Sequence, residues 1–327
     1  MSRPAAGRRR RVTVEARAKL NLGLAVGPRR PDGFHELVTM FQSVSLADTL
    51  VAEWRPRGFT LRVRHEDAAI RGRLPRAARA AVPGGRANLV LRAAALAREA
   101  LGLEGGAAFT LIKRIPAEAG LGGGSADAAA ALAAVPALHG RRLSRARRLE
   151  LALQLGSDVP FAATGGTALG EGRGERLTRL TLRAPFRAVI AMPSWRVRTA
   201  EAFRRHASAR NRLTPWEHHR RFAWTVGRQR VAALSLIRLG NRFEQLLGRH
   251  RRDLDSLRAR LRTAGLVEPH LTGSGSAVFG IVPAGVSVRE VVERFSGSEP
   301  LYAVRSVGRA LRLRVHASST GPGKGSR

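Results

Sequence analysis

The 327-residue sequence contains no cysteine. That absence excludes a disulfide framework, a thiolate zinc site, an iron–sulfur cluster and a cysteine nucleophile. Long apolar runs are also missing. No stretch reaches the roughly 18 apolar residues of a membrane-spanning helix, and the best candidate, 128–138, is short and contains Pro136. No apolar segment follows Arg8 to Arg11, so no secretory leader and a cytoplasmic location are expected. Aromatic residues make up only 5%, with Tyr302 the single tyrosine. Lysine is scarce: it fills positions 19, 113 and 324, and arginine fills the other 55 of 58 basic positions. Against 24 acidic residues this gives a formal charge of +34. With 44% hydrophobic residues the chain can still bury a sizeable core.

A basic surface attracts polyanions through counterion release, which suggests nucleic acid. A nucleic-acid binder, however, is expected to cluster its charge and interleave aromatics. Here aromatics are few and the charge is spread along the chain, with a concentration of 18 Arg against 5 acids in residues 196–262. An Arg-rich background therefore explains the charge better than a nucleic-acid partner does.

There are no internal repeats. Residues 1–11 and 318–327 read as disordered tails, the first basic and the second rich in Gly and Ser. Residues 12–18, 22–26, 50–54, 59–64 and 107–113 suit strands. Helices are expected over 87–102, from about 125 to 135, and from about 144 to 155, the last opening at Ser144. A second half begins near 185, with a strand at 187–192, a basic helix-like stretch at 199–238, and an apolar helical stripe from Phe243 to Leu261. Two short strands, 269–272 and 277–282, flank a glycine-rich turn. The expectation is an α+β protein with two domains, 12–184 and 185–317, the second a small α/β sandwich.

The strongest local signal is I-P-A-E-A-G-L-G-G-G-S-A-D, from Ile115 to Asp127. Four glycines in five residues let backbone N–H groups approach a ligand, and the helix that follows points its positive end at the same place. The segment is a phosphate cradle or a flexible turn before a core helix. It is not a Walker loop, because no Lys follows the last glycine. The Ser125 hydroxyl is placed to cap the helix or to bind phosphate or metal; Asp127 reads as a first-turn partner of the helix dipole.

Lys19 and Asn21, in A-R-A-K-L-N-L, share one strand face. In a chain that almost always writes Arg, this Lys is either chance or a compact ammonium required where a planar guanidinium would not fit. Asp158, in L-G-S-D-V-P-F, is a structural cap or a base in a dry pocket. The turn L-T-G-S-G-S-A, with Gly273, Ser274 and Gly275, is a bare hairpin or a loop approaching the phosphate cradle. In P-D-G-F-H-E-L, Phe34 could stack on a planar ring and His35 could hydrogen-bond it, although a lone His is more often structural.

Taken in order, the Lys-bearing strand, the P-x-x-x-G-L-G-G-G-S-A-D loop and the late G-S-G turn resemble the GHMP small-molecule kinases. The resemblance covers 12–182 well and 240–282 moderately. It implies a two-domain fold, with an N-terminal β-α domain for ATP and substrate and a C-terminal ferredoxin-like sandwich. It also implies ATP and Mg²⁺ as cofactors, a small-molecule substrate, no membrane, and a monomer or homodimer. The D-G-F-H-E-L block points to one branch, which phosphorylates a cytidine-diphosphate-bearing alcohol in isoprenoid synthesis. Carried over by position, Asp158 is the base and Lys19 its partner. Asn21, His35 and Phe34 contact substrate, Phe34 standing where the branch usually has a stacking Tyr. Asn88 lies near adenine. Pro116, Ala117, Glu118, Ala119, Gly120, Leu121, Gly122, Gly123, Gly124, Ser125 and Ala126 form the ATP phosphate loop, and Gly273, Ser274 and Gly275 the third motif. Glu118 must point outward, and Arg242 puts a helix-start contact in doubt. Two alternatives remain: a family kinase acting on a sugar, homoserine or mevalonate, or a silent relative that binds nucleic acid.

Overall fold

The structure, a computed structural model, describes residues 10–74, 85–197, 199–208 and 230–316. Most of both expected tails, and the middle of the basic stretch, lie outside these residues.

Two long strands, β1 (Arg11–Arg29) and β2 (His35–Arg55), form an antiparallel ribbon at the centre of an eight-stranded sheet. The two short strands expected at 12–18 and 22–26 are one strand, interrupted in register between Arg17 and Lys19 and between Asn21 and Gly23. Such bulges re-aim side chains and favour site edges; here they bracket Lys19 and Asn21. β3 (Phe59–His65) pairs in parallel with β4 (Gly106–Lys113), which pairs with the second half of β2. β5 (Thr167–Gly172) pairs with its first half, and β6 (Arg176–Leu182) follows as a hairpin.

Two helices lie against the sheet and a third packs on them. Asn88 caps α1 (Leu89–Ala100), accepting from the Val90 N–H at 2.8 Å. The Ala-rich α2 (Gly123–Leu138) is buried along most of its length, and its small side chains let it contact α1 and both central strands. α3 (Arg145–Leu155) opens at Ser144, whose hydroxyl accepts from the Arg147 N–H. The short α4 (Val159–Thr164) follows.

β7 (Arg187–Ala191) opens the smaller sheet. After it come α5 (Thr199–Ser208), β8 (Arg230–Val231) and α6 (Ala233–Ile237). The apolar stripe from Phe243 is not one helix: residues 242–246 and 248–250 are 3₁₀ turns, and α7 is Arg251–Thr263. β9 (Val267–Leu271), β10 (Val278–Val282), α8 (Val288–Arg294) and β11 (Leu301–Arg305) follow. The smaller sheet runs β11-β7-β10-β9, all antiparallel, and Leu254, Leu257, Leu261 and Val291 pack on it. This is the two-sheet α+β architecture expected.

The chain then returns. β12 (Leu311–His316) pairs with β1 at the edge of the larger sheet, and β8 pairs with β6 at its other end. The two sheets are therefore not divided by chain order at 184/185.

Candidate active site

A cavity of about 410 Å³ opens where the centre of β1 meets the glycine-rich loop and the β9–β10 turn. Lys19 and Asn21 lie on its floor, buried at 7% and 3% exposure. The Lys19 Nζ donates to Asn21 Oδ1 at 2.5 Å and stands 3.5 Å from Asp158 Oδ2. Asn21 is fixed in turn: its Nδ2 donates to Thr39 Oγ1 at 2.7 Å, and Thr39 donates to the Gly23 carbonyl at 2.9 Å. The amide thus presents its oxygen to the ammonium in one orientation only.

Asp158 precedes α4 but does not cap it, since its carboxylate takes no helix N–H. Of the two readings left open by sequence, the cap is excluded. The carboxylate is partly exposed to the cavity and faces Lys19. Pro160 at the helix start and Phe161 behind it set this corner, and Phe161 stacks on Phe41 at 4.6 Å. The Phe41 ring lies 5.8 Å from Lys19 Nζ, close enough for a cation–π contribution.

The loop from Pro116 to Ser125 forms the opposite wall. It is held by backbone: Lys19 N–H donates to Leu121 O at 3.0 Å, and Ala277 N–H donates to Ala119 O at 3.2 Å. Gly120, at φ +78°, lies so close to the β9–β10 turn that a Cβ there would be 2.1 Å from Thr272 O. The turn is thus both a hairpin and a loop approaching the cradle. Thr272 reaches across to accept from the Asn21 N–H at 3.0 Å. Gly122 precedes α2 in the left-handed region and no side chain caps the helix. The first-turn N–H groups therefore face the cavity, where Ser125 is a lining residue rather than a cap.

Asp127 is not the first-turn dipole partner expected, since it lies beyond the first turn of α2. It is buried and forms an ion pair with Lys113, whose Nζ donates to Asp127 Oδ2 at 2.7 Å and also to Asp48 Oδ2. Asp48 Oδ1 accepts from the Arg114 and Ile115 N–H groups. Asp127 Oδ1 has no partner. Desolvation, reinforced by Asp48 and opposed by Lys113, pushes the Asp127 carboxyl up to about 8. For Lys113, desolvation works against the charged form, but the two carboxylates together hold its pKa above the ordinary value. Lys113 and Asp127 line the cavity, and a Cβ on Gly123 would be 3.2 Å from Lys113 Nζ.

Most of the sequence-expected residues meet here: Lys19, Asn21, Asn88, Pro116 to Ser125, Asp158, Gly273 and Ser274. Ala126 is buried behind the loop, and neither it nor Gly275 lines the cavity. Phe34 is outside too, 49% exposed, with the Arg173 guanidinium 4.4 Å from its ring centroid. His35 is buried, its Nδ1–H donating to Gly27 O at 3.1 Å, and its ring stacks on Phe203 at 5.6 Å. Glu118 lines the cavity, and its exposed carboxylate is paired with Arg196 at 3.3 Å.

Arg242 does not disturb the second-domain contact. The preceding Asn241 caps the 3₁₀ turn at Phe243 N–H and donates to the Leu271 and Gly273 carbonyls. Sequence reading missed Asn241, Thr39, Thr272, Lys113 and the cavity-lining Thr199, whose hydroxyl hydrogen-bonds the Ser274 hydroxyl at 2.8 Å. Of these, only Lys113 carried a signal, as a rare lysine.

The class follows from this arrangement: a glycine-rich loop opening a buried helix, beside a Lys–carboxylate pair, on a two-sheet α+β fold. The family described as GHMP kinases N terminal domain matches residues 88–166. A crystal structure of 4-(cytidine 5'-diphospho)-2C-methyl-D-erythritol kinase superposes with a TM-score of 0.69 at 36% identity, covering 90% of this chain and 99% of that one. A homoserine kinase from Cytophaga hutchinsonii superposes at 0.66 over 96% and 100% of the two chains, but at 16% identity it speaks for the fold alone. The 4-diphosphocytidyl-2-C-methyl-D-erythritol kinase of Pelotomaculum thermopropionicum is 40% identical over 287 residues, 87% of this chain and 93% of its own length. The chain belongs to the 4-diphosphocytidyl-2-C-methyl-D-erythritol kinase family.

Proposed function

We propose that this protein transfers the γ-phosphoryl group of ATP to the 2-hydroxyl of 4-diphosphocytidyl-2-C-methyl-D-erythritol, in the non-mevalonate route to isoprenoids. The observation that carries the reading is the Lys19–Asp158 pair, 3.5 Å apart, facing the glycine-rich loop across one cavity. Asp158 accepts the proton of the attacking hydroxyl. Lys19, oriented by Asn21, stabilises the oxyanion as it develops. The N–H groups of the loop and of the first turn of α2 hold the phosphates, so catalysis rests on positioning and electrostatics.

Mg²⁺ fits the donors present. Among the described residues no group of three His, Asp or Glu side chains suits a metal. A Mg²⁺ held mainly by nucleotide phosphates needs only one or two protein oxygens, and Ser125, lining the cavity at the start of α2, supplies a hydroxyl. When bound, the ion neutralises charge on the β- and γ-phosphate oxygens.

Phe34 and His35 stand at the start of β2, and the exposed Phe34 ring, with Arg173 over it, offers a surface for a pyrimidine. The reaction is expected in the cytoplasm. A buried Lys19 facing the Asp158 carboxylate beside a phosphate cradle has no use in a silent nucleic-acid binder, which sets that alternative aside. The test is ADP release with the cytidine diphosphate substrate. Asp158→Asn is expected to lose about 10²–10³ of the rate, the usual scale for one transition-state group, while ATP binding measured by calorimetry persists. Wild-type turnover in that variant would remove Asp158 from the mechanism, and wild-type protein no faster than the substrate-free control would overturn the reading.

A further inference from the structure

A second concavity, of about 460 Å³, lies apart from the reaction cavity, where β1, β11 and the turn before β12 converge. Four arginines line it: Arg17, Arg305, Arg309 and Arg312. No carboxylate lines it. Glu15 is the acid within reach, 3.5 Å from Arg17 and 4.0 Å from Arg312. Among the described residues, Arg305 and Arg309 have no carboxylate within ion-pair distance. Arg17 is largely buried, and its Nε–H has no hydrogen-bond partner. A buried, unpaired guanidinium N–H is rare in folded proteins, and each one calls for an explanation.

Two plain explanations fall short. An Arg-rich composition scatters guanidinium groups over the surface; it does not bring four of them, from different elements, around one hollow without a lining acid. Charge on an edge strand prevents edge-to-edge pairing, which accounts for Arg312 on β12. It accounts equally for Arg305 on β11, the edge strand of the smaller sheet, but not for Arg17 on the interior strand β1 or Arg309 in the turn.

We propose that this hollow is a binding site for a small, multiply charged anion of the diphosphate class. The forked donors of Arg match phosphate oxygens in pairs, and a diphosphate presents enough oxygens to engage several of the four at once. The lining residues include no aromatic ring, so the site has nothing on which a base could stack. That favours a compact phosphate chain over single-stranded nucleic acid, whose binding relies on such stacking.

The hollow also touches the back of the catalytic corner. Its turn packs on Gly165 and Gly166, which directly follow α4: a Cβ on Gly165 would lie 2.1 Å from Ala310 N, and one on Gly166 3.2 Å from Gly308 O. Asp158 precedes the same helix. The site rests on its own geometry and stands whether or not the proposed reaction is right.

The test is calorimetry with inorganic pyrophosphate on the full chain, with the reaction cavity saturated by a non-hydrolysable ATP analogue. One further equivalent of pyrophosphate is expected to bind, more weakly as salt rises. In the double variant Arg305→Ala/Arg309→Ala the affinity is expected to fall about tenfold or more, the scale of losing charge-assisted hydrogen bonds, with kinase turnover unchanged as proof of folding. The proposal fails if no pyrophosphate binds beyond the saturated cavity, or if the double variant binds it as well as wild type. It fails equally if single-stranded RNA binds at the hollow and pyrophosphate does not displace it.

Discussion

Lys19 shows how space, not charge alone, selects a residue. The approach of Gly122 closes the sleeve around its stem: a Cβ on Gly122 would be 3.0 Å from Lys19 Cγ and 3.2 Å from Cε. A branched, planar guanidinium does not replace an ammonium in such a sleeve. Lys19→Arg, though it keeps the charge, is expected to lose about 10²–10³ in kcat; a thermal melt close to wild type would show that the loss is local. Asp127 gives a different prediction. Its carboxyl is raised in the folded state to about 8, against an ordinary value of 3.8. Between those values the folded chain holds a proton that the unfolded chain has released, so this group's contribution to stability falls as pH rises. Asp127→Asn removes the titration, and the melting temperature of wild type is expected to decline more steeply than that of the variant from about pH 4 to about pH 8. Parallel profiles would show that Asp127 is ionised throughout. Lys19 and Asp158 drew notice in the sequence because each is chemically out of place in its surroundings, but their roles there rested on the family resemblance. Lys113 was as rare as Lys19, yet its two carboxylates stand 65 and 14 positions away, and only the fold brings them together.

Between elements, the loop and the β9–β10 turn meet backbone to backbone at Gly120. A side chain there meets both a clash with Thr272 O and a positive φ. Gly120→Ala is expected to raise the KM for ATP and lower the melting temperature together, because relieving the clash means parting the cradle from the smaller sheet. An unchanged KM would mean the loop can shift without cost. Glu244 joins the 3₁₀ turn to β9 and α7. Its Oε1 accepts from Leu271 N–H at 2.8 Å, and its Oε2 pairs with Arg258 at 3.0 Å. Desolvation resists the charge, but the His270 ring 3.4 Å away, the Leu271 N–H and Arg258 together hold the carboxyl below its ordinary value. That stabilisation is present above the unfolded pKa and is lost as pH falls through the lower folded one. Glu244→Ala leaves the Leu271 N–H and Arg258 without a partner, at a cost of about 3–5 kcal/mol, readable by urea unfolding at neutral pH; a loss below 1 kcal/mol would mean water replaces the carboxylate. Strands such as β4 were legible by their alternation. The first half of β2 was not, because Val38 to Val44 are buried on both faces and show no period of two. β5, T-A-L-G-E-G, hides a strand behind two glycines.

At the scale of the whole molecule, the charge of +34 is partly spent internally. In the described part of the basic stretch, Arg205, Arg251, Arg258 and Arg260 each pair with an acid. What remains unpaired draws in anions, and ATP and a diphosphate substrate are both anionic. Raising ionic strength from low to physiological is therefore expected to raise KM for ATP while leaving kcat unchanged, since screening acts on encounter rather than on the dry reacting centre. A matching fall in kcat would place the sensitive charges within the transition state instead. The pairing of β12 with β1, Arg11 opposite His316, has a further consequence. During synthesis, one edge of β1 leaves the ribosome first and its partner there is made some three hundred residues later. Until then the nascent chain carries an open strand edge of the kind that recruits wrong partners. The positive charges along β1 and its neighbours then act before any substrate is met, keeping half-made chains apart by mutual repulsion.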